Sequence, residues 1–496
     1  MTAFDLLIHR ARVVRAGHEE TTTMDIGVRE GVIVELGPGL DGDAAAEVID
    51  ATGLFAFPGV VDAHQHWGIY NELSADTESE SRACAQGGVT TALTYMRTGQ
   101  YYLWKSGPYR EFFPEVLDRA AGRAFVDYGF HLAPMMKQHI DELPAIVDDF
   151  GVTSFKIFMF YGAHGLHGRS DDQSKFLLTP PGERYDLAHF EFVMRGLQRL
   201  RAQRPELADV LSLSLHCETA EIMAAYTALV EASDDLSGLA AYSASRPQHS
   251  EGLAVTIASY LAYETGLPTI NLLHLSSAKA FDAAMKMAQV FPGVDFRREV
   301  TIGHLCVDLD QAQANAGNGG KVNPPLRPRE DVEALWEHVL AGNVDWVSSD
   351  HACCREEQKF GTPAENVFLA KSGFGGAEYL LPALVTEGRR RGLSYGRIAE
   401  LTSTNPARRF GLAARKGDIA VGLDADIALV DPEQSWTIRA ADSYSAQEYT
   451  PFEGARLDAS VRHTVLHGAL VHSDGKIVGA PRGEYLFRPV SGGAAS

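Results

Sequence analysis

Five residues of metal-binding type stand where apolar, strand-like segments of this sequence end. His64 and His66 follow the first segment in PGVVDAHQH, His216 ends LSLSLH, His274 ends TINLLH and Asp350 ends DWVSSD. Because side chains alternate along an extended chain, the two imidazoles of an HxH pair point to the same side and suit one metal ion. Each residue also has an ordinary interpretation: the HxH pair as surface or hydrogen-bonded histidines, His216 and His274 as core histidines with satisfied hydrogen bonds, and Asp350 as a helix N-cap. Their shared placement at strand ends favours a metal site.

A lysine inside another apolar segment is harder to accommodate. Lys156 lies in TSFKIFMFY, with aromatic and aliphatic residues around it. A buried ammonium without a partner is costly, so this side chain must reach solvent, pair with an acid, lose its charge or be modified. Lys156 therefore joins the candidate set.

The elements that must position these residues are predicted to be strands alternating with helices. Continuous apolar strands that alternate with amphipathic helices, such as DLAHFEFVMRGLQRLRAQ and REDVEALWEHVLAG, predict a parallel sheet. Eight such units predict an α/β fold of the (β/α)8 TIM-barrel type, whose active sites lie at the C-terminal ends of the strands. The predicted strands are Phe55–Val61, Val89–Tyr95, Phe125–Ala133, Thr153–Phe158, Val210–Leu215, Thr269–Leu273, Glu299–Ile302 and Asp345–Ser349.

The two ends of the chain have a different sequence pattern, which predicts short strands separated by turns. Arg29-Glu30-Gly31 is typical of a hairpin turn, and DIAVGLDADIALVDP repeats the pattern near the C-terminus. Neither end could bury a core alone, so we expect both to form one small β-sandwich into which the barrel is inserted. The predicted boundaries are 1–56 with 414–480 for the β domain, 57–413 for the barrel and 481–496 for a C-terminal extension, whose final VSGGAAS is expected to be disordered.

Composition excludes several classes of protein. The 496 residues carry 65 acidic and 44 basic side chains, a formal charge of −21, which argues against nucleic acid as the main partner. No apolar run approaches the ~20 residues of a membrane span, and charges interrupt the N-terminal segment where a signal peptide would be apolar. The five cysteines match no zinc spacing and make a disulfide framework unexpected. We therefore expect a reduced, cytoplasmic protein without a membrane partner.

Several phrases of the sequence resemble one enzyme group. They are KVNPPLR (321–327), ALWEHVLAGNVDWVSSDHACC, TSTNPARRFGL followed by KGDIAVGLDADIALVDP, and AQEYTPFEG (446–454). Together with the candidate ligands they resemble the cyclic-amidase branch of the amidohydrolase superfamily, which contains D-hydantoinase, dihydropyrimidinase, allantoinase and dihydroorotase. The resemblance extends over essentially the whole chain, including the split β domain.

This resemblance implies a hydrolase that opens the C–N bond of a cyclic amide, such as a hydantoin or dihydropyrimidine, to an N-carbamoyl amino acid or related product. It implies that carbon dioxide carbamylates Lys156 to N6-carboxylysine, an anion that bridges two divalent metal ions. By the same resemblance the first metal is held by His64, His66 and Asp350, and the second by His216 and His274. Zinc is the expected metal, with manganese or cobalt as alternatives.

The resemblance also implies how the substrate is handled. A hydroxide bridging the metals attacks a ring carbonyl, and Asp350 passes its proton to the leaving nitrogen. Tyr161 matches the hydantoinase tyrosine that donates to the developing oxyanion, although a packed strand-end aromatic residue is the alternative. Asn323 is expected to present backbone groups to the substrate unless KVNPPLR is only a Pro-Pro turn. Ser372 stands about where hydantoinases have an asparagine that contacts substrate.

The position within the branch stays open at this point. Tyr161 favours a hydantoinase or dihydropyrimidinase, whereas SDHACC favours an allantoinase. No arginine near KVNPPLR can be assigned to a substrate carboxylate, which disfavours a dihydroorotase. His164 and His167 are interpreted as ordinary loop histidines, with substrate contact as the alternative. The aromatic-rich segments 67–80 and 97–115 fit either a substrate pocket or a subunit interface, and the resemblance implies a homotetramer or homodimer.

Two other functions fit the sequence less well. A mononuclear deaminase of the same superfamily lacks a lysine on the fourth strand, and Lys156 counts against it. A non-catalytic dihydropyrimidinase-related assembly protein has lost metal ligands, whereas all six candidate positions are filled here.

Overall fold

A computed structural model of the chain describes residues 3–159, 177–233 and 235–491, together with the backbone of 164–165 and 168–169. Its N-terminal part is a set of five strands that ends where the first barrel strand begins. β1 and β2 form an antiparallel pair, and β1 also pairs in parallel with β4 and β5. The five strands are β1 (Phe4–Val13), β2 (Thr22–Arg29), β3 (Val32–Gly37), β4 (Ala45–Asp50) and β5 (Phe55–Pro58).

The central part contains eight parallel strands that follow one another around a barrel in sequence order. The barrel strands are β6 (Val60–Gln65), β7 (Val89–Met96), β8 (Asp127–Leu132), β9 (Ser154–Phe158), β12 (Ser212–His216), β13 (Thr269–Leu272), β14 (Asp295–Thr301) and β15 (Trp346–Ser348). A short antiparallel pair, β10 (His164–Gly165) and β11 (Gly168–Arg169), lies between β9 and β12 in the chain. Every residue of β6, β7, β8, β9 and β12 is buried, as expected for strands enclosed by helices.

The barrel is nearly closed between its first and last strands. The His66 amide donates to the His351 carbonyl at 2.8 Å, and Gln65 forms an isolated bridge with His351. The Ser349 amide donates to Asp62 Oδ1 at 3.1 Å. These contacts hold the ends of β6 and β15 side by side, so residues that follow the two strands face one space.

Helices connect the barrel strands. They are α1 (Leu73–Gln86), α2 (Tyr109–Ala120), α3 (Lys137–Asp141), α4 (Leu143–Phe150), α5 (Leu187–Gln203), α6 (Ala220–Glu231), α7 (Gly238–Ser245), α8 (Gln248–Thr265), α9 (Ala278–Val290), α10 (Ile302–Cys306), α11 (Leu309–Ala316), α12 (Arg329–Leu340), α13 (Glu356–Lys359), α14 (Leu380–Arg390), α15 (Tyr395–Ala399) and α16 (Asn405–Arg409), with a π-helical segment Glu400–Thr404 before α16. Several helices begin at a capping residue that is visible in the sequence, and α5 and α11 are examples. Asp186 caps α5, and Asp308 forms a capping box with Gln311 at the start of α11.

In the described part of the chain, no helix is both long and apolar enough to cross a membrane.

The C-terminal part completes the sheet that the N-terminal strands begin. β16 pairs with β5, so the two chain ends form one nine-stranded sheet from β1–β5, β16 and β19–β21. The remaining strands are β16 (Ile427–Asp431), β17 (Trp436–Thr437), β18 (Arg456–Leu457), β19 (Ser460–Leu466), β20 (Ala469–Ser473) and β21 (Lys476–Ile477). Side chains from both halves, including Ile8, Ile26 and Ile427, form a core separate from that of the barrel.

The predicted strand Phe55–Val61 is wrong as a single element. Phe55–Pro58 belongs to the nine-stranded sheet, and the barrel strand begins at Val60. Gly59 separates them, and a Cβ atom there would lie only 2.2 Å from Thr90 Oγ1. The apolar run FAFPGVV is therefore continuous in sequence but divided between two sheets. The hairpin predicted at Arg29-Glu30-Gly31 is confirmed, with Arg29 paired to Val32 and positive φ angles at Glu30 and Gly31.

Candidate metal centre

The six predicted residues lie around one cavity at the C-terminal end of the barrel. His66, Lys156, His216, His274 and Asp350 line it. His64 lies directly beside them, since its Nε2 is 3.1 Å from Asp350 Oδ1 and 3.1 Å from Lys156 Nζ. His66 Nε2 is 3.2 Å from the same Asp350 oxygen. The structure therefore brings together residues from five strands, as the sequence predicts.

Burial makes this cluster unusual for polar groups. His64, Lys156, His216 and His274 are each at most 2% exposed, and His66 is 8% exposed. Burial, followed by the charge of Lys156, lowers the pKa of His64 well below its ordinary value. Burial lowers the pKa of Lys156 to about 8 in spite of Asp350 and Glu299. The imidazoles are therefore neutral at pH 7, which is the form that binds metals.

Two of the six residues have strained backbones. His274 has φ = 34° and Asp350 has φ = 54°, both in the left-handed region that non-glycine residues rarely adopt. Each lies two residues beyond the end of its strand, β13 or β15. Both turns thus follow directly on the strands that deliver these residues to the cluster, and the His274 amide donates to Glu299 Oε1 at 3.0 Å.

Three polar partners that the sequence analysis missed orient the histidines. His64 Nδ1 donates to Glu299 Oε1 at 2.8 Å, and His216 Nε2 donates to Glu218 Oε2 at 2.6 Å. His66 Nδ1 lies 2.8 Å from the Tyr102 hydroxyl. Each contact occupies one nitrogen of its ring and so fixes the direction of the other. Glu218 could have been identified from the sequence as a partner of His216, because it follows His216 by two residues.

The donor set fits a bound divalent cation. One ligand atom each from His64, His274 and Asp350 lies within 4.8 Å of the others. His274 Nδ1 is buried and has no hydrogen-bond partner in the described part of the chain. Imidazole nitrogens with a carboxylate oxygen are ligands that zinc and similar metals prefer. A buried group of neutral imidazoles around an acceptor oxygen is therefore better explained by a cation than by hydrogen bonding alone.

The predicted substrate-contacting residues form part of the cavity wall. Asn323 and Ser372 line it and are both buried. Asn323 Oδ1 accepts from the Tyr242 hydroxyl, while its Nδ2 and Ser372 Oγ have no hydrogen-bond partner among the described residues. Two polar groups thus remain available to a ligand. Tyr161, His164 and His167 lie outside the residues whose side chains are described.

The wall also contains an arginine that the sequence analysis did not single out. Arg97 follows β7, is 2% exposed, and donates from Nη1 to the Thr98 carbonyl at 2.9 Å. Tyr102 lies beside it, with the guanidinium carbon 5.7 Å from the ring centroid. No pattern around YMRTGQ distinguishes this arginine from a surface residue, so its burial follows only from the fold.

Comparison with known proteins gives a consistent result. Residues 271–478 match the model of the amidohydrolase family. The chain is 36% identical over 494 residues to a protein named allantoinase from Rubrobacter xylanophilus, with 98% of each chain covered. A crystal structure of a D-hydantoinase has a TM-score of 0.84 at 25% identity, covering 97% of this chain and 98% of the other. The dihydropyrimidinase from Brevibacillus agri has a TM-score of 0.82 at 25% identity, covering 98% and 99%.

Proposed function

Since the chain belongs to the cyclic-amidase branch of the amidohydrolase superfamily, we propose that it hydrolyses the ring C–N bond of a cyclic amide with two divalent metal ions. The observation that carries this proposal is the convergence of six residues from five strands on one buried cavity. The ligands would be His64, His66 and Asp350 for one ion and His216 and His274 for the other. Zinc suits this donor set, and manganese or cobalt are alternatives.

Lys156 would complete the site as a carbamate. Its amine lies 3.1 Å from His64 Nε2, and 4.1 and 4.4 Å from the ring centroids of Tyr95 and Phe158. An ammonium at this position would compete with metal ions for the same space. Carbamylation by carbon dioxide would replace it with an anion whose two oxygens could serve as metal ligands.

The protein's own groups would then bind the ring and move one proton. When bound, divalent ions of this kind lower the pKa of water and polarise carbonyl oxygens. Asp350 faces the cavity and is placed to accept a proton from the attacking water and to deliver it to the leaving ring nitrogen. Asn323 Nδ2 and Ser372 Oγ offer hydrogen bonds to the amide edge of the ring. Tyr161 remains the proposed donor to the developing oxyanion.

Two ring classes are candidates for the substrate. The related solved structures are hydantoinases and a dihydropyrimidinase, which favours hydantoins and dihydropyrimidines. The relative named allantoinase favours allantoin, a cyclic ureide, as a second candidate. The resemblance noted in the sequence implies a homotetramer or homodimer, which sizing of the purified protein tests.

The test is a panel of hydantoin, 5-phenylhydantoin, dihydrouracil, allantoin, dihydroorotate and cyclic imides, offered to enzyme loaded with zinc or manganese. We expect ring opening of at least one member and about two metal equivalents per chain. Lys156→Ala should abolish activity and metal binding, with partial recovery when metal and a short carboxylic acid are added together. Lys137→Ala, which removes an exposed lysine, is the matched control. One metal equivalent, or full activity of Lys156→Ala, would contradict the proposal.

A further inference from the structure

The C-terminal segment 481–491, here called the strap, closes the N-terminal end of the barrel. Its backbone pairs with segments that precede or begin the barrel strands. The Gly483 amide donates to Ala124 at 2.8 Å, the Leu486 amide to Tyr128 at 2.8 Å, and the Arg488 amide to Gly151 at 3.1 Å. The strap is therefore part of the barrel and lies at the end opposite the metal centre.

The approach of the strap to the barrel depends on glycine at two positions. A Cβ atom on Gly151 would lie 2.6 Å from the Arg488 amide nitrogen, and one on Gly483 would lie 1.9 Å from the Val126 carbonyl oxygen. Gly151 also has φ = 64°. Larger residues at either position would push the strap away from the barrel. The close contact therefore requires glycine both in the barrel, at Gly151, and in the strap, at Gly483.

The strap carries one charged side chain into the barrel. Arg488 is 1% exposed; its Nη1 donates to Ser154 Oγ at 2.9 Å and its Nη2 to the Phe130 carbonyl. Within the described part of the chain, this guanidinium forms no ion pair with a carboxylate. A buried cation without a counter-charge is unfavourable, so an anion nearby in the barrel would be stabilised by it.

The contacts of Arg488 lead directly to the metal centre. Ser154 Oγ lies 2.5 Å from His131 Nδ1, and His131 Nε2 lies 3.1 Å from the carbonyl of Ala63, the residue before His64. Ser154 also precedes Lys156 by two residues on β9, so both side chains face the barrel interior about 7 Å apart along the strand. Arg488 is thus one layer of side chains below the amine of Lys156.

We propose that Arg488 is a positioning residue whose charge favours carbamylation of Lys156, an inference that rests on the proposed function. In this step the lone pair of the neutral Nζ forms an N–C bond with carbon dioxide. One C=O electron pair moves to oxygen, and one N–H proton leaves to solvent. The side chain changes from neutral to −1. Because Arg488 lies a further 2.9 Å hydrogen bond beyond Ser154, its charge is on the order of 10 Å from the amine. At an effective dielectric of ~20, a charge at that distance changes such an equilibrium by about tenfold or more.

The experiment measures the carbamate itself in the metal-free, full-length protein. Protein equilibrated with increasing ¹³C-bicarbonate is followed by ¹³C NMR, and the signal is assigned to Lys156 by its loss in Lys156→Ala. We expect the half-saturating bicarbonate concentration to rise about tenfold or more in Arg488→Met. Arg488→Lys should restore most of the wild-type value. Arg482→Met, which removes an exposed charge from the same strap, should leave it unchanged.

The outcomes separate this inference from the proposed function. Equal half-saturation in wild type and a folded Arg488→Met variant would overturn the role of Arg488 alone. If far-UV circular dichroism shows that Arg488→Met does not fold, Arg488→Gln replaces it, because it removes the charge but keeps a donor to Ser154. A wild-type protein without any Lys156 carbamate, with or without added zinc, would instead overturn the proposed role of Lys156 itself.

Discussion

Glu299 is the residue on which several parts of the metal centre depend. Its Oε1 accepts from His64 Nδ1 and from the His274 amide at 3.0 Å, and its Oε2 accepts from Trp346 Nε1 at 2.8 Å. Burial, although opposed by these hydrogen bonds, raises the pKa of this carboxyl to about 7. Glu299 therefore fixes the ring of one proposed ligand and the backbone of another without facing the cavity.

Replacing Glu299 should weaken metal binding without removing a ligand. In Glu299→Gln, the amide cannot accept from all three donors with the strength of a carboxylate, so we expect metal affinity to fall about 10- to 100-fold. Competition with a chelator of known affinity measures this. Glu251→Gln removes another buried carboxylate, which binds Arg327 and Ser276 rather than a proposed ligand, and should leave the affinity unchanged. Equal affinities in wild type and Glu299→Gln would contradict the role.

Residue types and spacing alone could identify the six strand-end residues, because each follows an apolar run that defines its position. Glu299 could not be singled out in the same way. It lies at the start of the predicted strand Glu299–Ile302, but nothing in RREVT indicates that its carboxylate meets a histidine 235 positions away. Tyr102 lies in the aromatic-rich segment 97–115, but its contact with His66 depends on a turn whose positive φ angles no local pattern predicts.

At the scale of elements, a buried ionic cluster joins the barrel to the nine-stranded sheet. Lys416 Nζ lies 2.6 Å from Asp127 of β8, 3.2 Å from Asp424 and 2.5 Å from Asp426, just before β16. His467, between β19 and β20, lies 2.9 Å from Asp127. Three carboxylates thus surround Lys416 and His467 between the two sheets, and Arg415 adds an outer contact to Asp424 at 2.9 Å. Removal of Lys416 leaves like charges facing each other.

Lys416→Met should strongly destabilise the protein. Removing one partner of a buried ionic network leaves uncompensated charge, and we expect the free energy of unfolding to fall by about 3–5 kcal/mol. Chemical denaturation at pH 7 measures the change. The neighbouring Arg415 pairs with Asp424 but is partly exposed, so Arg415→Met should cost less than about 1 kcal/mol. Similar decreases in the free energy of unfolding in the two variants would show that the buried cluster stabilises the protein no more than a partly exposed ion pair does.

The same cluster predicts a dependence of stability on pH. Burial alone would raise the pKa of Asp127, but Lys416 and His467 outweigh it and hold the pKa below its ordinary value of 3.8. A carboxyl whose pKa is lower in the folded state contributes stability above its unfolded pKa and loses it as the pH falls further. Unfolding free energy should therefore decline below about pH 4, and less steeply in Lys416→Met.

The division of FAFPGVV shows what local patterns miss at this scale. An apolar run of that length predicts a single strand. Pro58 and Gly59 were the available signal, but only the close approach of Thr90 explains why the chain changes sheets there. Local sequence patterns could not predict that β5 pairs with β16 either, because this pairing joins segments from opposite ends of the chain.

At the scale of the whole molecule, the barrel and the sheet should unfold together, because they share the Lys416 cluster and the β5–β6 connection. Of the five tryptophans only Trp436 lies after the barrel, so Trp436→Phe leaves fluorescence that reports on the barrel alone. We expect its urea transition to coincide with that of far-UV circular dichroism. Two separated transitions would mean that barrel and sheet are independent folding units.

The alternation of strands and helices is sufficient to predict the barrel from the sequence. The strand order of the sheet is not predictable in this way, because it depends on contacts between distant segments.

The insertion of the barrel has a consequence for biosynthesis. About 370 residues separate Pro58 at the end of β5 from Ile427 at the start of its partner β16. At a translation rate of about 5–20 residues per second, the β5 edge waits roughly 20–70 s on the ribosome before that partner exists. During this interval its unpaired amides and carbonyls are exposed to other nascent chains. Synthesis of β16 is therefore the stage at which this edge of β5 gains its hydrogen-bond partner.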